Sequence, residues 1–336
     1  MLQHTVSYLL LLLLLVGTFS TGGCAHSCAH PPGDLPLDYR QAMREFVEGI
    51  SSYAKALDPS FVVIPQNGHE LLTEDGTPSG LPAKAYIAAI DGVGREDLFY
   101  GYAGDNEPTP AGITQQWLPF MDLAETRGIS VLVTDYCTDR AFVDDSYERS
   151  AERGYISFAA DRRELDDIPA YPAVPTGENS DDIALLADAR NFLYLINPVG
   201  FPNKQAFLNA IRDTNYDIVI IDLFDDDGVA LSREDVNSIR AKRNGGMRLV
   251  IAYMSIGEAE DYRYYWEPAW SVNPPSWLET ENANWEGNYK VRYWDSDWQK
   301  IIFGNKDSYL KKVLDAGFDG VYLDIIDAFE YFENNE

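Results

Sequence analysis

Arg248-Leu-Val-Ile-Ala-Tyr253-Met-Ser-Ile-Gly257-Glu258-Ala-Glu260, answered near the end of the chain by Gly320-Val-Tyr-Leu-Asp324-Ile-Ile-Asp327, is the stretch whose reading decides the fold. Each arm is a short, nearly continuous apolar run, the pattern of a strand covered on both faces. Each run empties into carboxylates: Glu258 and Glu260 after the first, Asp324 and Asp327 after the second. If such strands run parallel, their acids collect at a single rim.

Working outward, similar runs recur at residues 61–64, 86–90, 130–134, 155–159, 192–196 and 218–221, which with 249–253 and 320–323 predicts eight strands. Between them, residues 113–127, 141–153, 204–214, 233–243 and 307–316 carry apolar residues at helical spacing. A further helix is expected at 39–57, from Ala42, Phe46, Ile50, Tyr53 and Leu57. Alternation of this kind implies an α/β fold with a parallel sheet, and eight units imply a (β/α)8 TIM barrel. The competing arrangement is a doubly wound open sheet. No Gly-rich phosphate-binding turn follows any of the strands, which counts against it.

The order is unusual, because the folded part opens on a helix and closes just after a strand. A (β/α)8 barrel normally does the reverse. Joining residues 329–336 to the first helix restores the cycle, so the barrel is expected to be circularly permuted. Residues 38–336 would then form a single domain, with half-barrels 38–167 and 183–336 joined by the acidic, Pro-rich segment 168–182.

The N-terminal residues read as an export signal. Residues 8–19 include seven consecutive Leu, too short a run to span a bilayer comfortably and suited to a signal-peptide core. Ser20-Thr-Gly-Gly-Cys24 resembles a lipoprotein box, which predicts a signal peptide at 1–23, lipidation of Cys24 and a tether at 24–37. The expected location is the cell envelope, as a lipoprotein, or the extracellular space.

Composition narrows the partners. A formal charge of -28, from 54 Asp and Glu against 26 Lys and Arg, repels nucleic acid and anionic lipid surfaces. A polysaccharide substrate that is neutral or cationic is easier to accommodate, and the only membrane contact expected is through the lipid anchor. With Cys24 lipidated, Cys28 and Cys137 remain, too few for a metal cluster. His4, His26 and His30 precede the folded part and leave His69 isolated, so neither a metal nor a cofactor is expected.

The expected rim residues are acidic: Asp91, Asp135, Asp161, Asp222, Glu258, Glu260, Asp324 and Asp327. Acids in such places also cap helices, the reading adopted for Asp161 and for residues 225–227. Asp222 and Asp324 differ because each ends an apolar strand, where partial burial can tune its proton affinity. Paired carboxyls suit glycosidic cleavage, in which one protonates the departing oxygen and another stabilises or attacks the anomeric carbon. The expected catalytic set is Glu258 as general acid, Asp324 as nucleophile or base and Asp222 as electrostatic support, with Glu260 the rival acid. The turn 255–260 reads alternatively as an acidic helix start capped by Ser255.

Six of the seven Trp lie between Trp266 and Trp298, in an insertion far longer than an ordinary loop. The cluster reads as a wall of a glycan cleft, although part of it must pack on itself. Substrate contacts are expected from Glu260, Tyr253, Arg263, Trp266, Trp294 and Asp327. Gln66, Asn67, Asp135 and Tyr136 would contribute from neighbouring strand ends.

Residues 216–222, 251–263, 293–298 and 317–328, with Pro65-Gln-Asn-Gly68 and Val133-Thr-Asp-Tyr136, resemble the endo-α-1,4-polygalactosaminidase-like glycoside hydrolases of family 114, in their secreted bacterial and archaeal branch. The resemblance implies a TIM barrel and hydrolysis of an α-1,4-linked, galactosamine-containing polysaccharide, cationic where deacetylated. Two features depart from the family pattern. The half bearing Asp222 to Asp327 follows the Gln-Asn-Gly half, and Tyr322 stands where an acidic residue would precede Asp324 by two positions. A non-catalytic glycan-binding lipoprotein on the same scaffold is the alternative. The intact carboxylates favour an enzyme.

Overall fold

The computed structural model describes residues 37–335. The expected signal peptide, the Cys24 box and nearly all of the tether lie outside those residues. The chain from Asp38 onward forms one compact unit.

In order, the elements are α1 (Tyr39–Leu57), β1 (Val62–Pro65), α2 (Lys84–Ala89), β2 (Gly92–Glu96), α3 (Ala111–Thr126) and β3 (Ser130–Tyr136). Next come α4 (Arg140–Ala151), β4 (Ile156–Ala160), β5 (Phe192–Tyr194), α5 (Lys204–Arg212), β6 (Ile218–Asp222) and α6 (Arg233–Ser238). The last third holds β7 (Leu249–Ser255), β8 (Glu258–Glu260), β9 (Leu278–Glu281), β10 (Asn288–Val291), α7 (Ser296–Ile302), α8 (Tyr309–Ala316), β11 (Gly320–Asp324) and α9 (Ala328–Asn334). Helix α1 has the bounds its apolar spacing predicts, with Asp38 accepting from the Gln41 amide to cap its first turn.

Among the described residues eight strands run parallel. Five form one sheet in the order β1-β11-β7-β6-β5, and three form another in the order β2-β3-β4. A parallel bridge between Gln66 and Gly94 links β1 to β2. On the other side β4 lies beside β5, where the Phe158 and Phe192 rings approach to 5.7 Å. The fold is therefore α/β with parallel sheets whose carboxyl ends face one way, the expected setting for a site.

One strand is not where the apolar runs place it. Residues 86–90 fall in and just after helix α2, and the strand is the glycine-rich segment that follows, Gly92 to Glu96. Tyr86 and Ile90 are both buried and four apart, a helical period that a five-residue window does not separate from a strand. Asp91 thus stands at the start of β2, far from its carboxyl end. There it accepts from the Val63 amide and pairs with Lys55.

The turn 255–260 is not a helix start. Residues 258–260 are β8, part of a small antiparallel sheet, β8-β10-β9, raised on the insertion between β7 and α7. Trp277 and Trp298 are the buried core of this lobe, linked to Trp270 and Trp266 by successive ring contacts at about 5 Å, and the Trp298 indole donates to the Ile256 carbonyl. The exposed rings of the insertion are Trp285, Tyr262 and Tyr264.

The two ends of the described stretch meet. Arg40 on α1 makes a two-pronged ion pair with Glu333 on α9, and Tyr39 stacks on Phe332. The segment 168–182 runs between β4 and β5 with neither helix nor strand in it. Its Asn179 is anchored by Asp217 and Lys242, themselves a fully buried ion pair at 2.8 Å.

Candidate active site

Three neighbouring strands bring the main groups together. β6 ends on Asp222, which stands in register with Tyr253 of β7, and Tyr253 stands in register with Tyr322 of β11. Two positions beyond Tyr322, on the same face, β11 ends on Asp324. Tyr253 donates its hydroxyl to Asp324 at 2.6 Å, so Asp222 and Asp324 flank one tyrosine at one rim.

Asp324 is held by its own backbone too. Ile325 adopts φ 59°, a left-handed conformation rare for a β-branched residue, and its amide donates to the Asp324 carboxyl at 2.8 Å. Such strain costs on the order of 1–3 kcal/mol and collects at functional sites. Burial pushes the Asp324 carboxyl up to about 7, and the negative charge of Glu96 adds to the rise, while Tyr253 and the Ile325 amide oppose it. This carboxyl therefore titrates near neutral pH, where it is about half protonated.

Asp222 is neutralised differently. The Arg263 guanidinium grips both its oxygens at 2.9 and 2.7 Å, and the Phe224 amide donates at 2.7 Å. Burial raises its pKa and Arg263 works against that rise. Arg263 also pairs with Glu260 at 2.6 Å, and Tyr262 donates to Glu260 at 2.7 Å. Beside Asp222 opens a cavity of about 220 Å³, walled by Phe201, Phe224 and Lys204 and edged by the acidic residues 225–227.

Glu258 is placed apart from this row. It is only 1% exposed, and its carboxyl takes hydrogen bonds from Asn282, Asn288 and Lys290 of the lobe. Among the described residues it shares no hydrogen bond with Asp222 or Asp324. Glu260 is equally sealed, at 2% exposed.

The other expected residues divide. Gln66 faces the interior and accepts from the Tyr194 hydroxyl at 2.8 Å, while Asn67 and Tyr136 both donate to one carboxylate, Glu96. Asp135 is fully buried and accepts from the Phe99 and Tyr100 amides and from Ser146, tying the loop after β2 to α4. Burial sets its pKa at about 6. Trp266 packs on Tyr289 within the lobe, and Trp294 packs on Tyr39 and Phe332 at the seam of α1 and α9. Asp327 precedes α9 near Arg95 and Glu96, with its carboxyl raised by burial to about 6.

Glu96 is the residue that sequence reasoning missed. It ends β2, it is part-exposed, and it takes the Tyr136 hydroxyl at 2.5 Å and the Asn67 amide at 3.3 Å. Its signal was the alternation Gly92, Gly94, Glu96 against Val93 and Arg95, a period of two hidden because the inward positions below the acid are glycines. Among the described residues no group of three or more His, Cys, Asp or Glu side chains is arranged to hold a metal ion.

Comparison with known proteins bears on the second half of the chain. Residues 201–336 match the model of glycoside-hydrolase family GH114. An uncharacterized protein of Methanocaldococcus jannaschii is 40% identical over 162 residues, 48% of this chain and 44% of that protein. Uncharacterized proteins of Deinococcus radiodurans and Thermotoga maritima are 43% and 42% identical over 39% and 36% of this chain. Each match spans less than half of the relative's length. The matched segment contains Asp222, Arg263 and Asp324 but not Glu96.

Proposed function

We propose that the chain is an exported glycoside hydrolase that cleaves an α-1,4-linked, galactosamine-containing polysaccharide, with Asp324 as the proton donor. The observation that carries the reading is the row Asp222, Tyr253, Asp324, in which one carboxyl is paired with Arg263 and the other titrates near pH 7. A general acid works best when its pKa lies near the working pH. In this reading the acid role passes from Glu258 to Asp324, Glu258 clamps the lobe through Lys290, and Asp222 with Arg263 shapes the wall of the adjoining cavity.

The eight parallel strands are taken to close as a circularly permuted (β/α)8 ring, which puts every strand end at a common mouth. The net charge of -28 suits a deacetylated, cationic glycan. The leucine run and the Cys24 box support export and lipid anchoring.

Release of reducing ends from partially deacetylated polygalactosamine tests the reading. Wild-type protein should release them, and Asp324→Asn should be slower by about 10²–10⁴-fold, the usual worth of a positioned acid, while still binding the polymer. Binding without release by the wild type would make this a glycan-binding protein instead.

A further inference from the structure

We propose that Glu96, at the carboxyl end of β2, is the second catalytic carboxylate, the group that faces the anomeric carbon while Asp324 protonates the departing oxygen. The inference rests on the hydrolase reading above and extends it with a residue from the half of the chain outside the family match.

Strand geometry puts the two acids on converging faces. Glu96 shares its side of β2 with Gly94, and a Cβ on Gly94 would lie 2.0 Å from the Tyr322 hydroxyl. The inner faces of β2 and β11 therefore touch one step below Glu96 and Asp324, with only β1 between them. Glu96 is also held in place: the Tyr136 hydroxyl donates to one of its carboxyl oxygens and the Asn67 amide to the other.

Backbone strain marks the same spot. Five non-glycine residues among those described have positive φ, and three of them follow the ends of β1, β2 and β11: Asn67, Asp97 and Ile325. Strained conformations persist where the surrounding structure fixes a functional geometry.

The charges facing each acid agree with the division of roles. Asp324 meets Glu96 from β2, Tyr194 from β5, Tyr253 from β7, Tyr322 from its own strand and Asp327 from the loop beyond it. Glu96 meets Arg95 on its own strand, Asp97 just after it, Tyr136 from β3, Tyr194 from β5, Tyr322 and Asp324 from β11 and Asp327 from the loop after β11. After burial, the charge of Glu96 is the largest cause of the proton staying on Asp324.

In the reaction, Asp324 gives its proton to the glycosidic oxygen, and the bond from that oxygen to the anomeric carbon breaks with the electron pair leaving on oxygen. The positive charge left at the anomeric carbon faces the Glu96 carboxylate. A water oxygen then bonds to that carbon, and the released proton returns to Asp324. One water is consumed per linkage cut.

The test compares wild type with Glu96→Gln, Glu96→Asp and Glu96→Ala on partially deacetylated polygalactosamine. Glu96→Gln should lose at least about 10²-fold in kcat with KM little changed, and formate should restore part of the activity of Glu96→Ala. Among the residually active variants, the alkaline limb of the Glu96→Gln profile should move to lower pH, because Asp324 gives up its proton sooner without the facing charge. Infrared titration of the Asp324 carboxyl, assigned by difference against Asp324→Asn, reads the same downward shift without turnover. If Asp324→Asn is inactive but Glu96→Gln stays within tenfold of wild type, the proposal is overturned and the hydrolase reading stands. If the wild type releases no reducing ends, the hydrolase reading fails and the catalytic role of Glu96 with it, whatever the infrared titration shows.

Discussion

Asp324 shows how one side chain carries opposing demands. Its folded-state pKa of about 7 lies above the ordinary carboxylate value of about 4. The native state therefore binds an extra proton between those values, so this group's contribution to stability is full below about pH 4 and is lost as pH rises through 7. Asp324→Asn keeps the neutral shape at every pH. At pH 8 it should exceed the wild type in stability by roughly 1–2 kcal/mol, allowing for solvent screening at a part-exposed site, and the two should converge near pH 3. Melts at both pH values check this, and a variant less stable than wild type at pH 8 would mean that ionised Asp324 costs the fold nothing. Asp222 and Asp324 were legible because each directly ends an apolar strand. The surroundings of Glu258 were not, since nothing local to it announces that Asn282, Asn288 and Lys290 fold over to seal it.

At the scale of the element, β2 is the strand on which the site turns. Gly94 leaves room that Tyr322 of β11 fills, Gly92 packs against Leu186 and Ile64, and Glu96 is carried above them. Gly94→Ala should cost about 1–3 kcal/mol by overpacking, read from denaturant unfolding. Adding Tyr322→Phe should recover part of that loss, because the nearest clashing atom is a hydroxyl with no hydrogen-bond partner among the described residues. If the double variant is no more stable than Gly94→Ala, the two residues do not meet. The insertion behaves differently from its sequence appearance. A run so rich in aromatics reads as a binding wall, yet Trp277 and Trp298 serve mainly as the core of a small antiparallel sheet.

For the whole molecule, the contact of α1 with α9 matters most. Arg40, Glu333, Tyr39 and Phe332 close a seam between the two ends of the described chain. A rearranged chain that starts near residue 183, with residue 335 joined to residue 38 by a short linker, should fold to the same circular dichroism spectrum and melt within a few degrees of the parent, because cutting the segment 168–182 breaks no helix or strand. Aggregation of that chain would argue that the segment is needed for folding. The anchoring of Asn179 by Lys242 and Asp217 is the contact most exposed to that cut.

By itself the sequence determined the alternation of strands and helices, the near-continuous apolar runs of strands buried on both faces, the bounds of α1 and the presence of carboxylates at the ends of β6 and β11. These follow from local periodicity, which depends only on residues a few positions apart. Tertiary structure alone decided which acids share a rim. Glu96 and Asp324 lie far apart along the chain and come to one rim only because β1 joins the two sheets, and Gly92 with Gly94, the second of which makes room for Tyr322, erases the apolar signal of their own strand. Whether a carboxyl is sealed, gripped by Arg263 or left holding a proton depends on partners folded in from elsewhere.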